Sequence, residues 1–397
     1  MQNFEYYRPT KYVLGRNAEN KIGDLIKEYG FKKVMLVYGG SNILRSGLLD
    51  RILEIFNQNK IAHVTLSGVK PNPRADLVYD GIQLARSQNV DLVLAVGGGS
   101  VIDTAKAIAL GVLDDGDFFD FFTKERKPHK ALKTGVILTF PGSGSEGSNG
   151  CVIEKKFEET YIKRCCVTDL NTPLFALLNP ELTFSLSSYQ TACGITDMFS
   201  HILGRYFTNT PNVSLTDHLC EAVMLSIKEN ASIVMRDPEN YDARANLMWA
   251  STLANNDVCG LDREQDWSCH HLENQLSAFY DLPHGAGMAV IFPSWMEFTY
   301  KHDVMRFAQF ANRVFGCAMN FDEPEITARA GISALRHFFK NLGMPLSFAD
   351  IKARADDIPQ LLNMLGVDDV YKTEGKFMPL HRSECEIIYK NAANYKA

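Results

Sequence analysis

Two hydrophobic periods divide this chain. As far as about residue 180, apolar residues come in short continuous runs rich in β-branched side chains: KKVMLVYGG from Lys32, IAHVTLSGV from Ile61, VDLVLAVGGGS from Val90 and TGVILTFPGSGSE from Thr134. Unbroken apolar runs of this length, several stopped by glycine, read as strands buried on both faces. LLDRILEIFNQN and ADLVYDGIQLARSQN separate the first three runs and VIDTAKAIALGVL follows the third, each with apolar residues at helical spacing. Strand, helix, strand in that order predicts a Rossmann-like parallel sheet with helices on both faces.

Beyond about Ser185 the strand-like runs stop. LTDHLCEAVMLSIKENASIVM, ARANLMWASTLANN, DVMRFAQFANRVFG and ITARAGISALRHFFKNLG are amphipathic at helical period, and the last two close on glycine. The chain therefore reads as an α/β domain over residues 1–184 followed by an all-helical domain over 185–397, with LNPELTFSLSS as the seam. A length of 397 residues accommodates two such domains.

Composition narrows the class. A formal charge of -6 and an isoelectric point near 6.0, without basic clusters, give no footprint for nucleic acid or an anionic membrane. MQNFEYYRPTKYVLG has no apolar leader core, and no run approaches the roughly eighteen apolar residues that span a bilayer, so a cytoplasmic protein is expected. Nine cysteines lack the paired spacings of a disulfide framework or a zinc ribbon and read as reduced thiols.

Chemistry-bearing residues concentrate in the second half. Asp197 and His201 stand four apart, on one face of a helix, so both can reach a common ion. His270 and His284 follow, fourteen apart, in DWSCHHLENQLSAFYDLPHGAG. His270 falls in an apolar helical stretch and His284 after a Leu-Pro break, which predicts a helix-borne ligand beside a loop-borne one. Three imidazoles and a carboxylate suit a borderline divalent ion such as Fe(II), Zn(II) or Mn(II), with an open position left for water or substrate. Among ten histidines a lone one is more often a core or surface residue than a ligand, so the weight rests on the four together.

The sheet half carries three glycine turns. Gly97, Gly98, Gly99 and Ser100 close one strand and open a helix, where backbone amides and the helix N-terminus can take a pyrophosphate. A tight strand-to-helix turn also needs glycine for structural reasons alone, and Asp103 and Lys106 just beyond it could equally be a solvated helix face. Pro141 to Glu146 follows the next strand, and Gly39, Gly40 and Ser41 follow VMLVY. All three turns then lie at one edge of the sheet, the edge at which open α/β sheets bind ligands.

With FEYYRPTKYVLG near the start, PNPR at 71–74, GGGSVIDTAK, TFPGSGSE, LNPELT, D-x3-H and H-x13-H, the chain resembles the iron-containing, group III alcohol dehydrogenases over essentially its whole length, nearest the butanol dehydrogenase and broad aldehyde reductase branch. The resemblance implies a dehydroquinate synthase-like architecture whose helical domain binds the metal. It carries the metal ligands onto Asp197, His201, His270 and His284, His270 being preferred to His271 by its spacing to the last ligand. It implies dinucleotide contacts from Gly39, Gly40, Ser41, Asn42, Asn72, Gly98, Gly99, Ser100 and Asp103. Thr139, Ser143 and Ser145 would lie near the pyrophosphate or nicotinamide, and Lys163, ten residues before Pro173, near a ribose. Leu182 and Thr183 belong to the matching PELT segment.

Many NAD-using members end the second strand in an aspartate that repels a 2'-phosphate. Here Tyr38 to Asn42 offers no carboxylate and Arg45 is close, which favours NADP(H) over NAD(H). The resemblance further implies Fe(II) or else Zn(II), hydride transfer to and from small aliphatic aldehydes and alcohols, and a homodimer with PTKYVLG as the pairing edge. Phe140, Asn149 and Cys151 are candidate walls for the substrate. Three departures bear on the chemistry: Asn274 stands where many members have a histidine, Gly204 where a glutamate is frequent, and Ser148 where an asparagine is common. Two other readings share the architecture. One is an NAD-recycling lyase like dehydroquinate synthase, whose basic phosphate-binding set is missing here; the other is a metal- and cofactor-binding protein with reduced catalysis.

Overall fold

The apolar runs become four strands of a six-stranded, all-parallel sheet that runs from edge to edge as Lys11–Leu14, Phe175–Leu178, Lys133–Phe140, Leu92–Gly98, Lys33–Tyr38 and Ala62–Leu66. In this computed structural model, which describes residues 2–158 and 160–396 and excludes the side chains of Ser41 and Asn42, the strands are β1 (Lys11–Leu14), β2 (Lys33–Tyr38), β3 (Ala62–Leu66), β4 (Leu92–Gly98), β5 (Lys133–Phe140), β6 (Gly150–Phe157), β7 (Thr160–Val167) and β8 (Phe175–Leu178). Successive side chains of a strand point to opposite faces, and the sheet shows why its strands read as unbroken apolar runs. Val34, Leu36, Leu92, Leu94, Val96, Ile137 and Leu177 pack on one side with Ile52 and Phe56 of the Leu48–Gln58 helix. Met35, Val37, Val93, Ala95, Val136 and Leu138 pack on the other with Val78 and Ile82 of the Ala75–Ser87 helix and Ile102 and Ile108 of the Gly99–Val112 helix. The doubly wound fold expected from the pattern is the one observed.

Strands β6 and β7 form a separate antiparallel pair, with Cys151 opposite Cys166 and Glu154 opposite Lys163. A criterion of continuous apolar runs does not register them. GCVIEKKF and TYIKRCCV mix charged with apolar positions because the pair lies outside the sheet.

The chain forms two compact units. One comprises Tyr7–Ser187 and Asp237–Asn256; the other comprises the stretch ending at Tyr6, Ser188–Arg236 and the residues from Asp257 onward. The division expected between residues 184 and 185 therefore needs a correction: the Tyr241–Asn255 helix belongs to the sheet unit. Met248 lies in the sheet's core, Trp249 meets Tyr12 edge to face at 5.3 Å, and Ser251 Oγ accepts from the Gly142 amide at 2.8 Å. Helical period shows that a segment buries one face, and does not show in which core.

The second unit is helical. Its Ser188–Tyr206 helix is buried continuously from Thr191 to Tyr206 and packs against the Ser214–Val234 and His284–Thr299 helices. Phe207, Trp295, Phe307 and Phe377 cluster beside it. Among the described residues no helix is long and apolar enough to cross a membrane.

Candidate metal and dinucleotide sites

Asp197 and His201 lie one turn apart on the Ser188–Tyr206 helix, His270 is in the first turn of the Ser268–Tyr280 helix, and His284 is the first residue of the His284–Thr299 helix. His284 is therefore helix-borne, where a loop position was expected. Asp281, with φ of 53°, ends the preceding helix and Pro283 caps the next, so the Leu-Pro break starts a helix as well as ending one.

The four side chains come together. Ring centroids are 4.9 Å apart for His201 and His270, 5.6 Å for His270 and His284, and 6.5 Å for His201 and His284. Asp197 Oδ1 is 3.2 Å from His201 Nδ1 and 3.7 Å from His284 Nε2. Among the described residues no set of three or more His, Cys, Asp or Glu side chains is already closed into an arrangement that would hold an ion as it stands. The four are neighbours, with the three ring centroids 4.9–6.5 Å apart, rather than a finished coordination shell.

His270 tests whether the cluster suits a metal. It is buried, and neither ring nitrogen has a hydrogen-bond partner among the described residues. Burial, reinforced by His201 and His284, pushes its pKa well below the usual imidazole value. A buried polar atom left unsatisfied costs about 1–3 kcal/mol, whereas a neutral imidazole lone pair is what a divalent ion requires. His201 is already oriented. Its Nδ1 is 2.9 Å from the Asp197 carbonyl, which can only accept, so the proton sits on Nδ1 and Nε2 keeps its lone pair. The residues present fit a divalent ion.

His271 and Gly204 each meet other partners. His271 is half-exposed and bonds through Nδ1 to Glu374, with no ring contact to the three clustered histidines. Gly204 leaves space where a larger residue has none: a Cβ there would stand 2.8 Å from the Asp266 carbonyl, whose own amide donates to the Gly204 carbonyl at 2.7 Å. Glu273 joins the cluster without having been expected from the sequence. It is wholly buried, and its Oε2 accepts from His284 Nδ1. Its place three residues after His270, on the same helix face, was the available signal.

In the sheet unit the three glycine turns do share one edge. Tyr38 lies in register with Val96, and Gly98 with Phe140. A Cβ on Gly99 would strike the Ser143 hydroxyl, so the second and third turns are in contact. Gly39, Gly98, Gly99, Ser100, Thr139, Ser143 and Leu182 are partly exposed and Gly40 is exposed. Asn72 and Lys163 meet, Nζ donating to Oδ1 at 3.2 Å.

Other expected contacts are committed inside the protein. Lys106, 1% exposed, is no solvated face: Nζ lies 2.7 Å from the Ser145 carbonyl and 2.9 Å from Ser145 Oγ and the Ser148 and Gly150 carbonyls. Ser145 Oγ donates to Asp103 Oδ1 at 2.6 Å, and Asp103 Oδ2 accepts from the Val152 amide at 2.9 Å. Burial pushes the Lys106 pKa down, opposed mainly by Asp103, and pushes Asp103 up, opposed mainly by Lys106. Asp103, Lys106 and Ser145 thus brace the turn. The Thr183 hydroxyl donates to the Pro180 carbonyl at 2.7 Å, and Cys151 is buried with Sγ 3.2 Å from the Asp103 carbonyl, so neither presents a surface to a ligand.

Comparison with known proteins agrees along the whole chain. Residues 9–180 match the family described as iron-containing alcohol dehydrogenase, and residues 191–393 match the Fe-containing alcohol dehydrogenase family, C-terminal. NADH-dependent butanol dehydrogenase A of Clostridium acetobutylicum is 39% identical over 99% of this chain and 100% of its own. NADPH-dependent aldehyde reductase YqhD of Escherichia coli is 34% identical over 92% of this chain and 93% of its own. The crystal structure of NADH-dependent butanol dehydrogenase A from Thermotoga maritima superposes with a TM-score of 0.94 at 34% identity, covering 99% of each chain. Both halves, and relatives matched from end to end, lead to one conclusion: the chain belongs to the iron-containing alcohol dehydrogenase family.

Proposed function

We propose that this protein is a metal-dependent, nicotinamide-linked dehydrogenase that reduces small aliphatic aldehydes and oxidises the matching alcohols. Fe(II) is the favoured ion, Zn(II) the second choice, and NADP(H) is favoured over NAD(H). The supporting observation is His270, a buried imidazole beside His201, His284 and Asp197 whose two nitrogens have no partner among the described residues. A divalent ion there would supply a Lewis acid toward a carbonyl or alkoxide oxygen, and a nicotinamide would supply hydride.

On this reading the protein's own groups do the holding and orienting. Asp197, His201, His270 and His284 are the ligands, and His201 presents Nε2 because Nδ1 is spent on the Asp197 carbonyl. Gly98, Gly99 and Ser100 take the pyrophosphate at the start of the Gly99–Val112 helix, with Lys163 and Asn72 near a ribose. Asn274 can neither give nor take a proton near neutral pH, and His271 is engaged with Glu374, so solvent carries the proton. Strand β1 is an edge strand and leaves one side of its ladder for pairing in a homodimer. A cytoplasmic location completes the reading.

Metal-stripped protein is expected to reduce butanal with NADPH only after anaerobic return of an ion, and best with Fe(II). No turnover with Fe(II), Zn(II) or Mn(II), in protein shown to bind both ion and dinucleotide, would sink the reading.

The cofactor preference rests on the turn after β2, since the butanol relatives are named for NADH and the aldehyde reductase for NADPH. Gly39→Asp places a carboxylate there and is expected to move the NADPH to NADH ratio of kcat/KM toward NADH by about tenfold, or about 1.4 kcal/mol. A Cβ at Gly39 would stand 3.3 Å from the Val69 carbonyl, so Gly39→Ala measures the steric part separately. An unchanged ratio in Gly39→Asp would mean that the turn does not meet the 2'-phosphate.

A further inference from the structure

Glu273 stands three residues after His270 on the Ser268–Tyr280 helix, and its side chain is 0% exposed. A carboxylate withdrawn from water is costly unless hydrogen bonds compensate it. Oε1 has no hydrogen-bond partner among the described residues, while Oε2 accepts from His284 Nδ1. The room for it is built into the next helix, where a Cβ on Gly287 would collide with the carboxylate.

This contact decides which nitrogen His284 presents. A carboxylate can only accept, so it fixes the imidazole proton on Nδ1 and leaves the lone pair on Nε2. Nε2 is the nitrogen 3.7 Å from Asp197 Oδ1, on the side where the other ligands gather. His201 achieves the same tautomer against a neutral backbone carbonyl. His284 is the first residue of its helix, so no earlier turn of that helix precedes it. A charged acceptor also makes the opposite nitrogen a stronger donor to a cation.

We infer that Glu273 is the positioning residue of the ligand set, holding His284 through Nδ1 so that Nε2 faces the metal; this rests on the metal reading above. The test is a double-mutant cycle read as Co(II) affinity by chelator competition on the full-length apoprotein, with urea unfolding alongside. Glu273→Gln keeps the shape and an acceptor oxygen and is expected to weaken Co(II) binding about tenfold, and Glu273→Leu, which keeps neither, about a hundredfold. In a His284→Ala background, itself much weaker in Co(II) binding, Glu273→Gln is expected to have no further effect. Wild-type affinity in both Glu273 variants, beside a large loss in His284→Ala, overturns the inference. So does an equal loss from Glu273→Gln in both backgrounds, which would show that Glu273 acts independently of His284. Wild-type affinity in His284→Ala instead overturns the ligand assignment itself. Should Glu273→Leu not fold, the Glu273→Gln cycle carries the test alone.

Discussion

His270→Leu is expected to abolish retention of a divalent ion and to lower butanal reduction by about a thousandfold, equivalent to about 4 kcal/mol of lost transition-state stabilisation. The substitution separates a ligand from a structural histidine. A structural histidine in a buried position is hydrogen-bonded, and an apolar replacement then leaves its partners stranded. His270 has no partner among the described residues, so leucine removes two unsatisfied nitrogens and strands nothing. The apoprotein of His270→Leu is therefore expected to unfold in urea at or above the midpoint of wild-type apoprotein, while the metal-loaded wild type stands well above both. Ion content by elemental analysis and the apo midpoint decide the matter. A variant that keeps its ion removes His270 from the ligand set, and one whose apo midpoint collapses gives it a structural role.

Lys106→Met is expected to cost about 3–5 kcal/mol, the range for breaking a buried charge network by removing one member. Methionine fills similar volume, so the loss is of charge and donors rather than of packing. The Ser145, Ser148 and Gly150 carbonyls would lose their ammonium donor, and Asp103 its neighbouring positive charge. Because these groups hold the turn that touches Gly99 through Ser143, dinucleotide binding is expected to weaken as stability falls. Urea unfolding and NADPH titration by fluorescence check both effects. A wild-type midpoint would show that the turn holds its shape without the lysine.

The parts of this molecule visible in the sequence are those with a period or a fixed spacing. Val34 to Val37 and Leu92 to Val96 read as strands because both faces of the sheet are covered, and no polar residue interrupts them. Asp197 and His201 read as a pair because one helical turn separates them. The sequence leaves Lys106 open to a solvated reading because a lysine on a helix is normally solvated, and what buries this one is a set of carbonyls some forty residues later in the chain. Glu273 does not stand out in the sequence because its partner lies on the following helix, beyond a Leu-Pro break that reads as a loop. The pairing of Lys106 leaves no local signature, since its carbonyl acceptors are backbone groups that every residue carries.

The Tyr241–Asn255 helix also sets an order of events during synthesis. Domains generally fold as units as the chain emerges, the N-terminal one first. Here the sheet unit includes Asp237–Asn256, so its core lacks Met248 and its Pro141–Glu146 turn lacks Ser251 and Thr252 until Asn256 has left the ribosome. By then the whole Ser214–Val234 helix of the other unit has already emerged. A nascent chain arrested at Ser187 carries all eight strands and still lacks a piece of the core that covers them, so the sheet unit is completed only after the Ser188–Tyr206 and Ser214–Val234 helices of the other unit have been made.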